Sequence, residues 1–157
     1  MSKISEFKNF YTRKDESVAN FIENKLISGN KLYVGTDSIV RGKFINYIII
    51  VATYDPILRK GGSCIYTKKT EQRTDIYNRL YAEGLLTIQL ANDIVEIFSV
   101  EPKTIVVEFD YNNYRITKSS KLINVFDGWC KSLNFEPAFK SDEQIAVKAA
   151  NYLCQIL

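Results

Sequence analysis

The stretch KLYVGTDSIV, residues 31–40, decides how this chain is read. Leu32, Tyr33 and Val34 begin a strand-forming run, and the run closes on Gly35-Thr36-Asp37-Ser38. A Gly-Thr-Asp-Ser tail is a turn signal. It is equally a way to hold Asp37 at a sheet edge, where a carboxylate can do chemistry. The pattern returns at residues 104–110, where TIVVEF leads into Asp110.

Composition narrows the chemistry. At 157 residues, 46% apolar and 25% charged, the chain suits one globular domain with a substantial core. A net charge of +3 and a pI near 8.7 permit nucleic acid as a partner without demanding it. No apolar run approaches the roughly 18 residues of a membrane span, and the opening MSKISEF lacks the apolar centre of a signal peptide. No membrane partner is expected, and the expected location is intracellular: the cytoplasm, or a virion if the chain is phage-encoded. Cys64, Cys130 and Cys154 are odd in number and widely spaced, the pattern of buried free thiols. The sequence has no histidine, which removes Ser-His-Asp and Cys-His relays and His-bound zinc. Hydrolytic chemistry would then rest on carboxylates with hard, oxygen-bound cations. Gly61-Gly62 is followed by Ser-Cys-Ile-Tyr, so no Walker loop is present and nucleotide triphosphate hydrolysis is not expected.

The order of elements follows from periodicity. A leading helix is predicted over 17–28, with Asp15 or Ser17 as its cap and Gly29 as its stop. Residues 1–30 form an N-terminal helical extension to a domain over 31–157. Strands are predicted over 31–38, 44–53 and 63–68, joined by connections short enough for an antiparallel meander. A helix over 73–98, a strand over 104–109, a helix over 119–133, a short strand over 135–139 and a last helix over 142–156 complete the chain. This βββαβαβα order specifies an α/β fold with a mixed five-stranded sheet, helices on both faces and an extra N-terminal helix. That is the RNase H-like arrangement. In it the first and fourth strands are parallel neighbours, so Asp37 and Asp110 come together at their carboxyl ends.

The long helix supplies a third acid. At 100° per residue, Ile76, Leu80, Ile88, Leu90, Ala91, Ile94, Val95 and Phe98 share one arc, with Asn78, Gln89, Asn92, Asp93 and Glu96 opposite. Glu83 lies inside the apolar arc, a costly place for a carboxylate unless a metal ion or a basic group pairs with it. The plainer alternative has Glu83 at the arc's edge or paired with a lysine, and Asp37 and Asp110 as turn residues.

On these motifs the chain resembles the YkuK family of bacterial RNase H-like proteins. Gly35-Thr36-Asp37-Ser38 matches the first-strand pattern, and Gly61-Gly62 the pair before the third strand. Arg79-Leu80-Tyr81-Ala82-Glu83 matches the opening of the long helix, and Asp110-Tyr111-Asn112 with Lys118-Ser119 the segment after the fourth strand. Lys140-Ser141 and Ala146 to Asn151 align with the closing pattern, with Ser141 in place of a proline and Asn151 in place of the last aspartate. The resemblance implies two-metal hydrolysis of a phosphodiester, with Asp37 bridging two Mg²⁺ or Mn²⁺ ions about 4 Å apart and Glu83 and Asp110 completing the set. Asn151, at the fourth catalytic position, keeps a carbonyl oxygen but removes a negative charge, implying a weakened or lost metal site. Asp142 could compensate, although a capping role suits it better.

Lys68, Lys69, Arg73, Lys118, Lys121 and Lys140 could hold phosphates, or simply be solvated. Tyr111, Asn112, Asn113 and Tyr114 could meet single-stranded bases, or form a polar turn. Against the nuclease stands a non-catalytic reading: an RNase H-fold structural or adaptor module in an oligomer or larger assembly, such as a phage particle or a DNA-handling complex.

Overall fold

Strand β2 (Lys31–Arg41) is the axis of the molecule. In the computed structural model, which describes residues 6–26, 31–55, 60–111, 120–140, 142 and 144–157, β2 turns through Gly42 and Lys43 into β3 (Phe44–Asp55). Gly42 takes a left-handed φ of 61° there, which suits a residue without Cβ. The register runs from Lys31 opposite Tyr54 to Arg41 opposite Phe44. Strand β4 (Lys60–Gln72) adds antiparallel to β3. On the other side of β2, β5 (Ile105–Glu108) and then β6 (Glu136–Ala138) join in parallel.

The sheet has six strands where the sequence predicted five. The sixth is β1 (Lys8–Asn9), antiparallel to β4 at Tyr66 and Ile65, giving the order β1-β4-β3-β2-β5-β6. Two residues are too short to register as a period, which is why the sequence did not show it.

Alternation along β2 sorts its side chains between two layers. Leu32 and Val34 belong to the core beneath α1 (Val18–Leu26), α2 (Ile76–Phe98) and α3 (Ser120–Ser132), alongside Phe21, Ile22, Ile88, Ile94, Leu122 and Phe126. Tyr33 belongs to the opposite core, with Ile48, Ile50, Ala150 and Leu153 beneath α4 (Ala146–Ile156). Helices therefore cover both faces. No helix among the described residues is long and apolar enough to cross a membrane.

Several boundaries move. The Ser17 side chain caps α1, accepting from Asn20 N at 3.3 Å, while Asp15 bridges to Lys8. Helix α2 begins at Ile76 behind an Asp75 cap that accepts from Asn78 N at 2.8 Å, so Arg73 precedes the helix. Residues 76–78 are exposed, and Ile76, placed in the apolar arc by periodicity, is 39% exposed. Strand β2 continues three residues past the predicted end, so Asp37 lies within a strand and not at its tip. What ends near it is the neighbour, β5.

Candidate active site

The last β2–β5 pair is Gly35 with Glu108. Two residues on, Asp37 and Asp110 stand level where the two chains part. Asp37 is 6% exposed and faces α4, where Asn151 Nδ2 donates to its Oδ2 at 2.9 Å. Gln155 Nε2 in turn donates to Asn151 Oδ1 at 3.2 Å. Gly35 permits this approach: a Cβ there would stand 2.9 Å from Val147 Cγ2 and 3.1 Å from Val147 N. The glycine of the motif is the space into which the first turn of α4 fits.

Thr36 and Ser38, on alternate positions, face α2. Thr87 Oγ1 lies 2.8 Å from both Thr36 Oγ1 and the Glu83 carbonyl. The Ser38 hydroxyl donates to Glu83 Oε2. It does so because Arg79 Nε donates to Ser38 Oγ at 2.7 Å, and a guanidinium only donates, which directs the hydroxyl proton to Glu83. Arg79 Nη2 also donates to the Ser38 carbonyl at 2.7 Å. Glu83 is 4% exposed, and its Oε1 is buried without a hydrogen-bond partner. The next residue, Gly84, has no room for a side chain: a Cβ would meet Phe126 Cζ at 2.6 Å. Here Tyr111 packs in and its hydroxyl donates to the Leu80 carbonyl.

Asp110 is engaged from a third direction. Phe109 N donates to the Ala138 carbonyl at 2.8 Å and Lys140 N to the Tyr111 carbonyl at 3.0 Å, so the chain after β6 runs beside the chain after β5. That brings Lys140 Nζ to 3.5 Å from Asp110 Oδ1. Gln144, buried, braces both segments, its Nε2 donating to the Phe109 carbonyl at 2.7 Å and to the Ala138 carbonyl at 3.4 Å. Glu108, fully buried, accepts from Ile145 N at 2.9 Å and from Val147 N at 2.9 Å, and so caps α4.

The family model described as ribonuclease H-like matches residues 15–155. The chain belongs to the ribonuclease H-like family. No curated protein and no solved structure proved similar to it.

In this RNase H-like site the carboxylates feel one another. Burial pushes the Glu83 carboxyl up to about 8, against the Ser38 hydroxyl, with the charges of Asp37 and Asp110 adding to the rise and Arg79 opposing it. Burial also raises Asp37, while Asn151 and the Ser38 backbone N–H pull it down. The donor set suits a hard dication in kind, because it is all oxygen and includes one buried carboxylate oxygen lacking a partner. As they stand, Asp37 is turned to Asn151 and Asp110 to Lys140. Among the described residues no three acidic or thiol groups gather closely enough to hold a metal ion.

Of the residues expected in a nucleic-acid groove, Lys140 reaches the acids. Arg73 does not: its N donates to the Lys43 carbonyl at 2.9 Å, beside the β2–β3 turn. Asn112 and Lys118 lie outside the described residues, as do Asn113 and Tyr114. Tyr111 is 1% exposed and packed on Phe109, so stacking on a base is not its role. Asp142 caps no helix; its Oδ2 accepts from Phe139 N at 2.9 Å.

Sequence reasoning assigned no role to Arg79, Ser38, Glu108 or Gln144. Arg79 carried a signal, since it sits four residues before Glu83 and hence on the same helix face. Glu108 carried another: a lone charge in an apolar strand requires a buried partner.

Proposed function

We propose that this RNase H-like chain is a metal-dependent phosphodiester hydrolase of the YkuK type acting on nucleic acid, with a centre weakened by Asn151. The observation that carries the reading is Glu83 Oε1, a buried acceptor without a donor, set within the electrostatic reach of Asp37 and Asp110. A proton or a cation is what such an oxygen lacks, and a bound cation would displace the proton. Asp37, Asp110 and Glu83 are the residues that would hold it. A bound Mg²⁺ or Mn²⁺ supplies a water of lowered pKa and stabilises charge on the leaving oxygen. Ser38 and Arg79 fix the Glu83 carboxylate, Asn151 fixes Asp37, and the exposed Lys68, Lys69 and Arg73 offer positive charge to a phosphate backbone.

The test uses labelled single-stranded, duplex, hybrid and junction substrates in Mn²⁺ and in EDTA. Wild type should cleave weakly and only with Mn²⁺, Asp37→Asn should not cleave, and Asn151→Asp should gain about tenfold, or about 1.4 kcal/mol of transition-state stabilisation. Strong wild-type cleavage unchanged in Asn151→Asp would remove Asn151 as the cause of weakness. No cleavage of any substrate by either protein would favour the adaptor reading. That second reading draws on an apolar surface around Phe10, where Tyr11 is 67% and Tyr152 52% exposed, and both rings contact Phe10.

A further inference from the structure

Strand β4 borders the sheet, and β1 covers only part of it. Lys8 and Asn9 pair with Tyr66 and Ile65, and among the described residues no strand lies along the outer side of β4 from Thr67 to Gln72. A cleft of about 910 Å³ opens past the end of β1, with Glu6, Lys8, Thr67 and Lys68 in its lining. Which backbone groups face this edge follows from the alternation of an antiparallel strand. The Cys64 carbonyl accepts from Phe10 N at 3.0 Å, on the β1 side, whereas Arg73 N donates to the Lys43 carbonyl at 2.9 Å, on the β3 side. Even-numbered residues of this stretch therefore turn N–H and C=O outward, and odd-numbered ones turn them to β3. Lys68, Thr70 and Gln72 are the open rungs. Side chains from Lys68 to Gln72 are exposed, and Lys69 Nζ pairs with Glu71 Oε1 at 3.2 Å.

We propose that β4 is a dimerisation edge, which pairs antiparallel with β4 of a second copy of this chain about a two-fold axis through Thr70. The inference stands apart from the metal-dependent reading. The open rungs restrict the choice of register. A strand that meets its own copy must centre on an outward-facing residue, because a centre at Lys69 or Glu71 would oppose amides and carbonyls that already belong to β3. Centred on Lys68, the pairing sets like charges directly opposite and needs Tyr66, which β1 already holds. Centred on Gln72, it runs beyond the end of the strand. Centred on Thr70, it sets Thr70 against its counterpart, Lys68 against Gln72, and each Lys69 against the Glu71 of the other copy. Lys69 and Glu71 then occupy non-hydrogen-bonded pairs, in which side chains stand closest. Lysines on an edge ordinarily repel a neighbouring strand. Here each Lys69 meets an acid in register. Exposed charge pairs add little affinity. They select the register, while the backbone rungs supply the attachment. The axis makes the contact isologous, so assembly stops at two copies.

Sedimentation equilibrium on the full chain from about 1 µM to about 1 mM tests the edge, since so small an interface predicts a dissociation constant of about 10 to 100 µM. Thr70→Pro removes an outward N–H and none that β3 uses, a change that edge strands tolerate, and should leave a monomer across the range. Thr70→Ala loses the same 2.9 Å side-chain bond to Asn46 but keeps the N–H, so it should dimerise as wild type does. Lys69→Glu and Glu71→Lys should each weaken the dimer by about five- to tenfold, by setting like charges opposite. Mixed in equal amounts, the two variants should pair with one another about as tightly as wild type, an outcome that no role of these side chains within one chain can produce. A wild type that stays monomeric throughout overturns the inference. So does a dimer that Thr70→Pro leaves intact, which would join copies elsewhere, as at the apolar surface around Phe10. If Thr70→Pro fails to fold, the charge variants decide: a mixture no tighter than either variant alone overturns the pairing at Thr70.

Discussion

Glu83 carries a large electrostatic penalty in the native fold, and that penalty is measurable without any substrate. Its folded pKa stands near 8, against 4.5 for the free side chain, chiefly because it is buried. The native state therefore holds the proton more tightly than the unfolded chain does. The stability this gives is fully present below about pH 4.5 and is lost as pH rises through about 8. In EDTA, wild type should melt progressively lower across that window, and Glu83→Gln should show a shallower fall and melt no lower than wild type at pH 8. Equal slopes for the two proteins would show that Glu83 does not hold its proton in the fold. The burial of Glu83 was legible, because helical periodicity is a property of the sequence. Its partners were not, since nothing in the spacing says that Ser38 and Arg79 meet it from a strand and from its own helix. Gly35 and Gly84 were similarly visible as letters only. The reasons for them, Val147 against one and Tyr111 with Phe126 against the other, belong to elements distant in the chain.

Helix α4 shows how an element can take its start from elsewhere. The sequence points to Asp142 as its cap, but the helix begins at Ala146 and its N-cap residue, Ile145, has no capping side chain. Glu108, on a strand, satisfies the free N–H groups at 2.9 Å each from Ile145 and Val147. A tertiary cap of this kind leaves no local signature, because capping rules look within a few residues of the helix. Glu108→Gln should destabilise the protein by about 2 kcal/mol in urea unfolding, since it leaves buried N–H groups short of acceptors. Asp142→Asn, at an exposed position, should cost less than about 0.5 kcal/mol. Equal losses would return the cap to Asp142. Because α4 also carries Asn151, loosening its first turn weakens the hold on Asp37 as well.

At the scale of the molecule, the site stands where two layers meet around one sheet. Glu83 comes from α2 on one face of the sheet, Asn151 from α4 on the other, Asp37 from β2 between them and Asp110 from the chain just past β5. Element order made the sheet and its two helical layers readable, apart from the two-residue β1. Like charges that act on one another, as those of Asp37, Glu83 and Asp110 do, oppose folding, while the Lys140–Asp110 pair returns little because both partners remain partly exposed. In EDTA, Asp110→Asn should therefore melt no lower than wild type, and millimolar Mn²⁺ should raise the melting temperature of wild type more than that of the variant. An equal rise in both would mean that the acids do not select the ion. The three cysteines offer another view of the same layers. Cys64 lies on β4, Cys130 on α3 and Cys154 on α4; all are free and buried, with thiols that burial pushes up to about 12. In the folded protein they are shielded from alkylating reagents, and each becomes reactive only when its own element opens. Pulsed labelling read by mass spectrometry would thus time the loosening of the sheet edge and of the two helical layers separately, making the native chain its own unfolding clock without an engineered probe.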